Sequence, residues 1–219
     1  MKKYLTEFIG TFFLVLTIGL VVASGTPFAP IAIGSALMVM IYMGGHISGA
    51  HYNPAVTLAV LMRGNMKSSE VAPYMVSQIL GAFVAAAVSF VIVGDTFAPA
   101  PAADASMLGV LLVEFLFTFM LALVILNSAA SKATAGNWFY GLAIGFTVTA
   151  AAFAGGGISG GAFNPAVGIG PILMDVFAGD GGFGNIWIYL VAPFAGGALA
   201  AVVFKIQEGE DLADDPDKL

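Results

Sequence analysis

The chain has 219 residues, 59% of them hydrophobic and only 9% charged, whereas an ordinary soluble domain carries about 25% charged residues. That composition excludes a free-standing water-soluble globule and calls for a lipid bilayer as partner, while the absence of cysteine excludes disulfides and thiolate metal sites. The formal charge of −6 says little about partners, because six acids gather between Glu208 and Asp217 in a stretch (207–219) expected to be a solvated, disordered tail.

A membrane helix needs about 20 apolar residues. Met1-Lys2-Lys3 leads straight into the first such stretch, 4–24, with no convincing cleavage site, so it reads as a retained membrane helix and not a signal peptide. Further spans are expected at about 31–47, 71–93, 107–128, 135–155 and 185–205. Two apolar segments, 54–63 and 165–174, are too short to cross and reach only about halfway at 1.5 Å per residue. Connections are short and rich in turn residues, as in Gly25-Thr26-Pro27, Gly94 to Asp104 and Asp180-Gly181-Gly182. No separate soluble domain fits, so 1–206 is expected to be one unit.

That unit is written twice. Gly45-His46-Ile47-Ser48-Gly49-Ala50-His51-Tyr52-Asn53-Pro54-Ala55-Val56 returns as Gly156-Gly157-Ile158-Ser159-Gly160-Gly161-Ala162-Phe163-Asn164-Pro165-Ala166-Val167, with 8 of 12 positions identical. Each copy reads as an unwound stretch (45–52 and 156–163), then Asn as helix N-cap, then Pro at the first helical position. Glu7-Phe8-Ile9-Gly10-Thr11-Phe12 likewise echoes Glu114-Phe115-Leu116-Phe117-Thr118-Phe119, and Tyr74 to Ala82 echoes Tyr189 to Gly197. Repeat one therefore covers 1–100 and repeat two 107–206, each with three spans and one half-helix. The fold class expected is an all-α membrane protein of six transmembrane helices and two re-entrant half-helices in an inverted repeat. Irregular backbone at membrane depth survives only where protein buries it or where it lines a cavity.

The basic residues sort completely. Lys2, Lys3, Arg63, Lys67, Lys132, Lys205 and Lys218 fall on one side of that topology, while the opposite loops carry Asp95, Asp104, Asp175 and Asp180 and no Lys or Arg. The positive-inside rule then puts both termini in the cytoplasm of a multi-pass protein of the cell (plasma or inner) membrane. With so few basic residues, no nucleic-acid partner is expected.

Two half-helices entering from opposite sides would bring their N-termini together near the midplane, each carrying about half a positive elementary charge. A cation passing between them meets a repulsive potential. The carboxamides of Asn53 and Asn164 have N–H donors with which to hold a passing oxygen, and carbonyls of the unwound segments offer acceptors along an apolar wall. Such a pore passes small neutral hydrogen-bonding molecules.

The doubled Ser-Gly-x-x-x-Asn-Pro-Ala block, the Glu-Phe-x-Gly-Thr-Phe opening and Gln78 together resemble the aquaporins, the major intrinsic protein family, from Glu7 to about Lys205. The resemblance implies a passive channel for water or small neutral solutes, a homotetramer with one pore per subunit, and no cofactor. It places the pore motifs at Asn53, Pro54, Ala55, Asn164, Pro165 and Ala166. It also implies a narrower filter at Ile33, Ala152, Gly161 and Val167, where water-selective members usually have an aromatic residue, a His, a small residue and an Arg. Here the Arg position is Val167, and the aromatic and His positions are Ile33 and Ala152. A wider, apolar filter is expected, unless Phe153, Phe163 or Met43 refills the gap.

Glu7 and Glu114 are carboxylates inside spans, at matching repeat positions. Their expected role is support: accepting N–H groups of the unwound loops, whose unmet donors cost several kcal/mol each in lipid. His51 is expected to help shape the first loop, with a pH gate as the alternative. His46 and His51 lack the companion ligands a metal needs, and no metal site is expected. Pro193 holds the repeat position of Gln78 and is expected to kink the last span. The competing classes are a secondary transporter, which shares broken helices, an intramembrane enzyme, for which no nucleophile–base constellation is visible, and a non-conducting structural member of the fold.

Overall fold

A computed structural model describes residues 1–208, and all regular structure among them is helical. Eight α-helices follow in order: α1 (Lys2–Ser24), α2 (Ala29–Ser48), α3 (Pro54–Arg63), α4 (Ser68–Val93), α5 (Met107–Ile125), α6 (Tyr140–Ser159), α7 (Pro165–Ala178) and α8 (Ile188–Glu208). Six of them are long and apolar enough to cross a bilayer, whereas α3 and α7 are not. A π-helical turn, Leu126–Ala130, extends α5.

The helices pair by repeat. α1 packs on α4 as α5 packs on α8, and α2 meets α6 between them. Each half-helix seats on the closing helix of the other repeat, α3 against α8 and α7 against α4. At one end of the bundle the Lys3 ammonium lies 3.1 Å from Glu70, the Arg63 guanidinium 3.4 Å from Glu208, and Asn127 donates to the Gln207 side chain at 3.1 Å. We call this the basic end. At the other, acidic end the Thr96 hydroxyl donates to Asp175 at 2.6 Å and the Ala102 N–H to the Ile158 carbonyl at 3.0 Å. α3 thus finishes at the basic end and α7 at the acidic end, so the half-helices enter from opposite ends.

Close approach of these helices depends on missing side chains, as expected where no solvent-driven hydrophobic force pulls helices together. A Cβ on Gly81 would lie 2.5 Å from the Phe8 carbonyl oxygen, and one on Gly197 would lie 2.5 Å from that of Ala55. In both cases the obstacle is backbone, which cannot swing aside. Leu14, Leu37, Val110 and Ile144 belong to one buried apolar cluster drawn from both repeats.

Several boundaries differ from the sequence expectation. The stretches 45–48 and 156–159, expected to be unwound, are helical: α2 runs to Ser48 and α6 to Ser159. What ends each helix is the next residue, Gly49 (φ 86°) or Gly160 (φ 88°), whose left-handed backbone closes a last hydrogen bond to the Gly45 or Gly156 carbonyl. The fifth span begins at Tyr140 and not near 135, since Lys132 to Asn137 are taken up by a 3₁₀ turn and its hydrogen bonds. α7 extends four residues beyond 174, to Ala178. α8 continues through Pro193 as one helix. Gln207 and Glu208, expected in the solvated tail, close α8, and the Glu208 carboxylate is largely buried against Arg63. The remainder of that tail, 209–219, lies outside the described residues.

Gly81→Ala and Gly197→Ala should each destabilise the protein by about 1–3 kcal/mol, the usual cost of over-packing. Thermal unfolding in detergent measures this; unchanged midpoints would show that the helices have room to separate.

Candidate functional site

Each half-helix starts from its own Asn. The Asn53 side-chain oxygen accepts the Ala55 N–H at 2.9 Å, and the Asn164 oxygen accepts the Ala166 N–H at the same distance. Pro54 and Pro165 sit at the first helical position, where a missing N–H removes a donor that the helix would leave unpaired. The amide nitrogens reach across to the opposite repeat. Asn53 Nδ2 donates to the Phe163 carbonyl at 3.0 Å, and Asn164 Nδ2 to the Tyr52 carbonyl at 2.8 Å. This reciprocal cross-bond engages one of the two N–H groups on each amide and was not legible in the sequence. One donor remains on each, and both Asn side chains line the central cavity.

The loops that carry these residues are irregular backbone at membrane depth. Ala50, Tyr52 and Phe163 all have positive φ (51°, 48° and 50°), an arrangement that costs non-glycine residues about 1–2 kcal/mol each. Two fully buried carboxylates hold it. Glu7 accepts the Ser48 hydroxyl (2.6 Å) and the His51 N–H (3.0 Å) on one oxygen, and the Tyr52 N–H (2.7 Å) and Gln78 amide (2.8 Å) on the other. Glu114 accepts the Ser159 hydroxyl (2.7 Å), the Ala162 N–H (3.0 Å) and the Phe163 N–H (2.7 Å). Tyr74 and Tyr189 complete the pattern, their hydroxyls donating to the Ser48 and Ser159 carbonyls at 2.8 and 2.6 Å.

Beyond this shared scaffold the repeats diverge. In repeat one, Gln78 also donates to the Thr57 hydroxyl oxygen (2.9 Å), which lies 3.2 Å from His51 Nδ1 and 3.1 Å from the Asn53 carbonyl. The matching positions of repeat two are Pro193, Gly168 and Ala162, which cannot make any of these bonds. Gly168 instead lets α8 come close, for a Cβ there would collide with Tyr189. The first loop is therefore braced by a polar network and the second by apolar packing.

A cavity of about 430 Å³ runs past the two Asn residues. Its lining extends from Val22 and Pro30 near the acidic end to Ile125 toward the basic end, and among the described residues includes no Asp, Glu, Lys or Arg. The four filter positions, Ile33, Ala152, Gly161 and Val167, all line it, as does His51. Of the side chains weighed as refills, Phe163 is buried and lines the cavity, while Phe153 and Met43 are exposed on the outer surface of the bundle and do not reach it. Sequence reasoning missed Phe97, which enters the lining with Ala98, Pro99 and Ala100 from the α4–α5 connection. A loop of that composition carries no signal of where it folds.

Replacing Glu114 by Gln turns one acceptor oxygen into a donor that faces loop N–H groups, each mismatch costing about 1–3 kcal/mol. Glu114→Gln should lower the unfolding temperature and the water permeability of reconstituted protein together, and should not create proton-coupled transport. Unchanged permeability would refute the role of Glu114 as a loop anchor.

The family model described as Major intrinsic protein matches residues 1–204. Glycerol uptake facilitator protein-like 6 of Lactiplantibacillus plantarum is 36% identical over 225 residues, covering 96% of this chain and 100% of that protein. Aquaporin Z of Rhodopseudomonas palustris is 34% identical, covering 95% of this chain and 94% of its own. Among solved structures, the aquaglyceroporin from Plasmodium falciparum superposes with a TM-score of 0.82 at 22% identity, over 93% of this chain and 94% of that one, a likeness of fold. With the family's model matched over nearly its whole length and half-helices meeting at paired asparagines, this chain belongs to the major intrinsic protein family, a family of channels.

Proposed function

We propose that this member is a passive channel, and not an enzyme, whose apolar filter admits water together with small neutral solutes up to about the size of glycerol, ammonia among them, and excludes ions. The observation that carries the reading is the cavity lining: a path past two Asn amides whose walls, among the described residues, hold no charged side chain. Ile33, Ala152, Gly161 and Val167 would form its filter, with Asn53-Pro54-Ala55 and Asn164-Pro165-Ala166 at its centre and Glu7, Glu114 and His51 supporting the loops. With Val167 in the position where water-selective relatives carry Arg, no fixed side-chain charge opposes cations. Exclusion then rests on the facing N-termini of α3 and α7, each about half a positive charge, and on dewetting of an apolar constriction.

A water held by both remaining Asn N–H groups accepts through its oxygen and turns its hydrogens toward the two mouths. That orientation interrupts the hydrogen-bonded wire along which protons hop. The glycerol uptake facilitator-like relative supports a filter wider than one for water alone, and the aquaporin Z relative supports water as a substrate. In this reading residues 1–206 form one channel domain, a homotetramer carries one pore per subunit, and the basic end faces the cytoplasm of the cell membrane.

Stopped-flow light scattering on proteoliposomes tests the reading: the protein should pass water, ammonia and glycerol, with rates insensitive to proton and sodium gradients. Val167→Arg should lower glycerol permeability by about tenfold or more while retaining most water flux, since a bulky donor then narrows an apolar gap. Water flux alone in the unmodified protein would reject the wide filter.

A further inference from the structure

We infer that the hydrogen bond between Thr96 and Asp175 holds the cavity-lining segment Phe97–Ala100 in place and so sets the largest solute admitted. The inference rests on the reading of the cavity as a solute path. Phe97, Ala98, Pro99 and Ala100 all line that cavity, alongside Ile33, Ala152, Gly161 and Val167.

The segment is clamped on both flanks. Before it, the Thr96 hydroxyl donates to the Asp175 carboxylate at 2.6 Å, a short charge-assisted bond between the α4–α5 connection and the last turn of α7. Asp175 is itself confined: a Cβ on Gly179 or Gly181 would collide with its carboxylate, so the turn after α7 folds directly around it. Beyond the segment, the Ala102 N–H donates to the Ile158 carbonyl at 3.0 Å, tying the chain to the end of α6. Between these anchors Phe97 wedges beside Gly19 and Ser89, and the backbone of Ala100 lies against Gly160, where a Cβ would fall 2.7 Å from its nitrogen. Gly160 is followed by Gly161, a filter position. The segment therefore meets the second loop backbone to backbone, one residue before the filter position.

Why this matters follows from the chemistry of the four filter positions. Ile33, Ala152 and Val167 carry no donor or acceptor side chain and Gly161 carries none at all. Selection there is by shape, and an apolar pocket discriminates about 10-fold or more for each methylene-sized change. Releasing the loop enlarges the aperture without altering its polarity. Asp175 and Thr96 do not line the cavity, so they are positioning residues, acting through the segment they hold.

The test is the ratio of solute to water permeability in proteoliposomes, for urea, glycerol and a four-carbon polyol. Thr96→Val keeps the shape and removes the donor; it should raise the ratio for the largest excluded solute by about tenfold. Thr96→Ser should restore the wild-type ratio, and adding Asp175→Ala to Thr96→Val should change it no further, because the two residues share one bond. Unchanged ratios in a monodisperse Thr96→Val protein, or an equal fall for water and every solute, would overturn the inference. Failure of the wide filter itself looks different, as a wild type that passes only water. In that case the same latch is read at urea, the next larger solute, and urea exclusion by Thr96→Val overturns it.

Discussion

A single carboxylate holds each re-entrant loop, and the rest of the architecture hangs from those two groups. At membrane depth no water is available to satisfy bare backbone, and each unmet N–H costs several kcal/mol. Glu7 and Glu114 gather the loop donors onto their carboxyl oxygens, with distances of 2.6–3.0 Å. In return those donors satisfy carboxyl oxygens that burial would otherwise leave without partners. The arrangement also holds the left-handed conformations at Tyr52 and Phe163, which aim their carbonyls at the partner repeat's Asn. Selectivity thus begins with a bond pattern far from any solute.

The second consequence is electrostatic. Fixing the loops fixes the starts of α3 and α7, and the crossed amide bonds bring those starts face to face. Their partial charges add where a solute passes, in a cavity whose lining among the described residues has no charged side chain to offset or reinforce them. The polar brace of Gln78, Thr57 and His51 stiffens the first loop alone; the second, against Pro193, Gly168 and Ala162, relies on close contact with α8. The two halves share a scaffold and differ in what surrounds it.

Much of this was readable in the residues. Asn-Pro-Ala twice in register announces cap and first turn, because only a few residue types serve at those positions. The six spans follow from length and hydropathy. What failed was the extent of unwinding: Gly156 and Gly157 look like breakers, yet they stay helical because Gly160 is where the chain turns left-handed. Composition cannot tell a glycine that packs from one that bends. The crossed Asn–carbonyl bonds depend on how two loops separated by 110 residues meet, and the placement of Phe97 depends on anchors at Asp175 and Ile158. Neither relation leaves a local pattern, so only the folded chain displays them.

The exchange of half-helices between repeats bears on how the protein is made. α3 rests on α8, which is synthesised well after it, and the Asn53 amide bonds to a carbonyl of Phe163. During synthesis the first repeat therefore enters the membrane with its short helix unseated and its amide unmatched. Closure of the first half waits for α8, and a chain lacking that helix would expose the unfinished half to quality control.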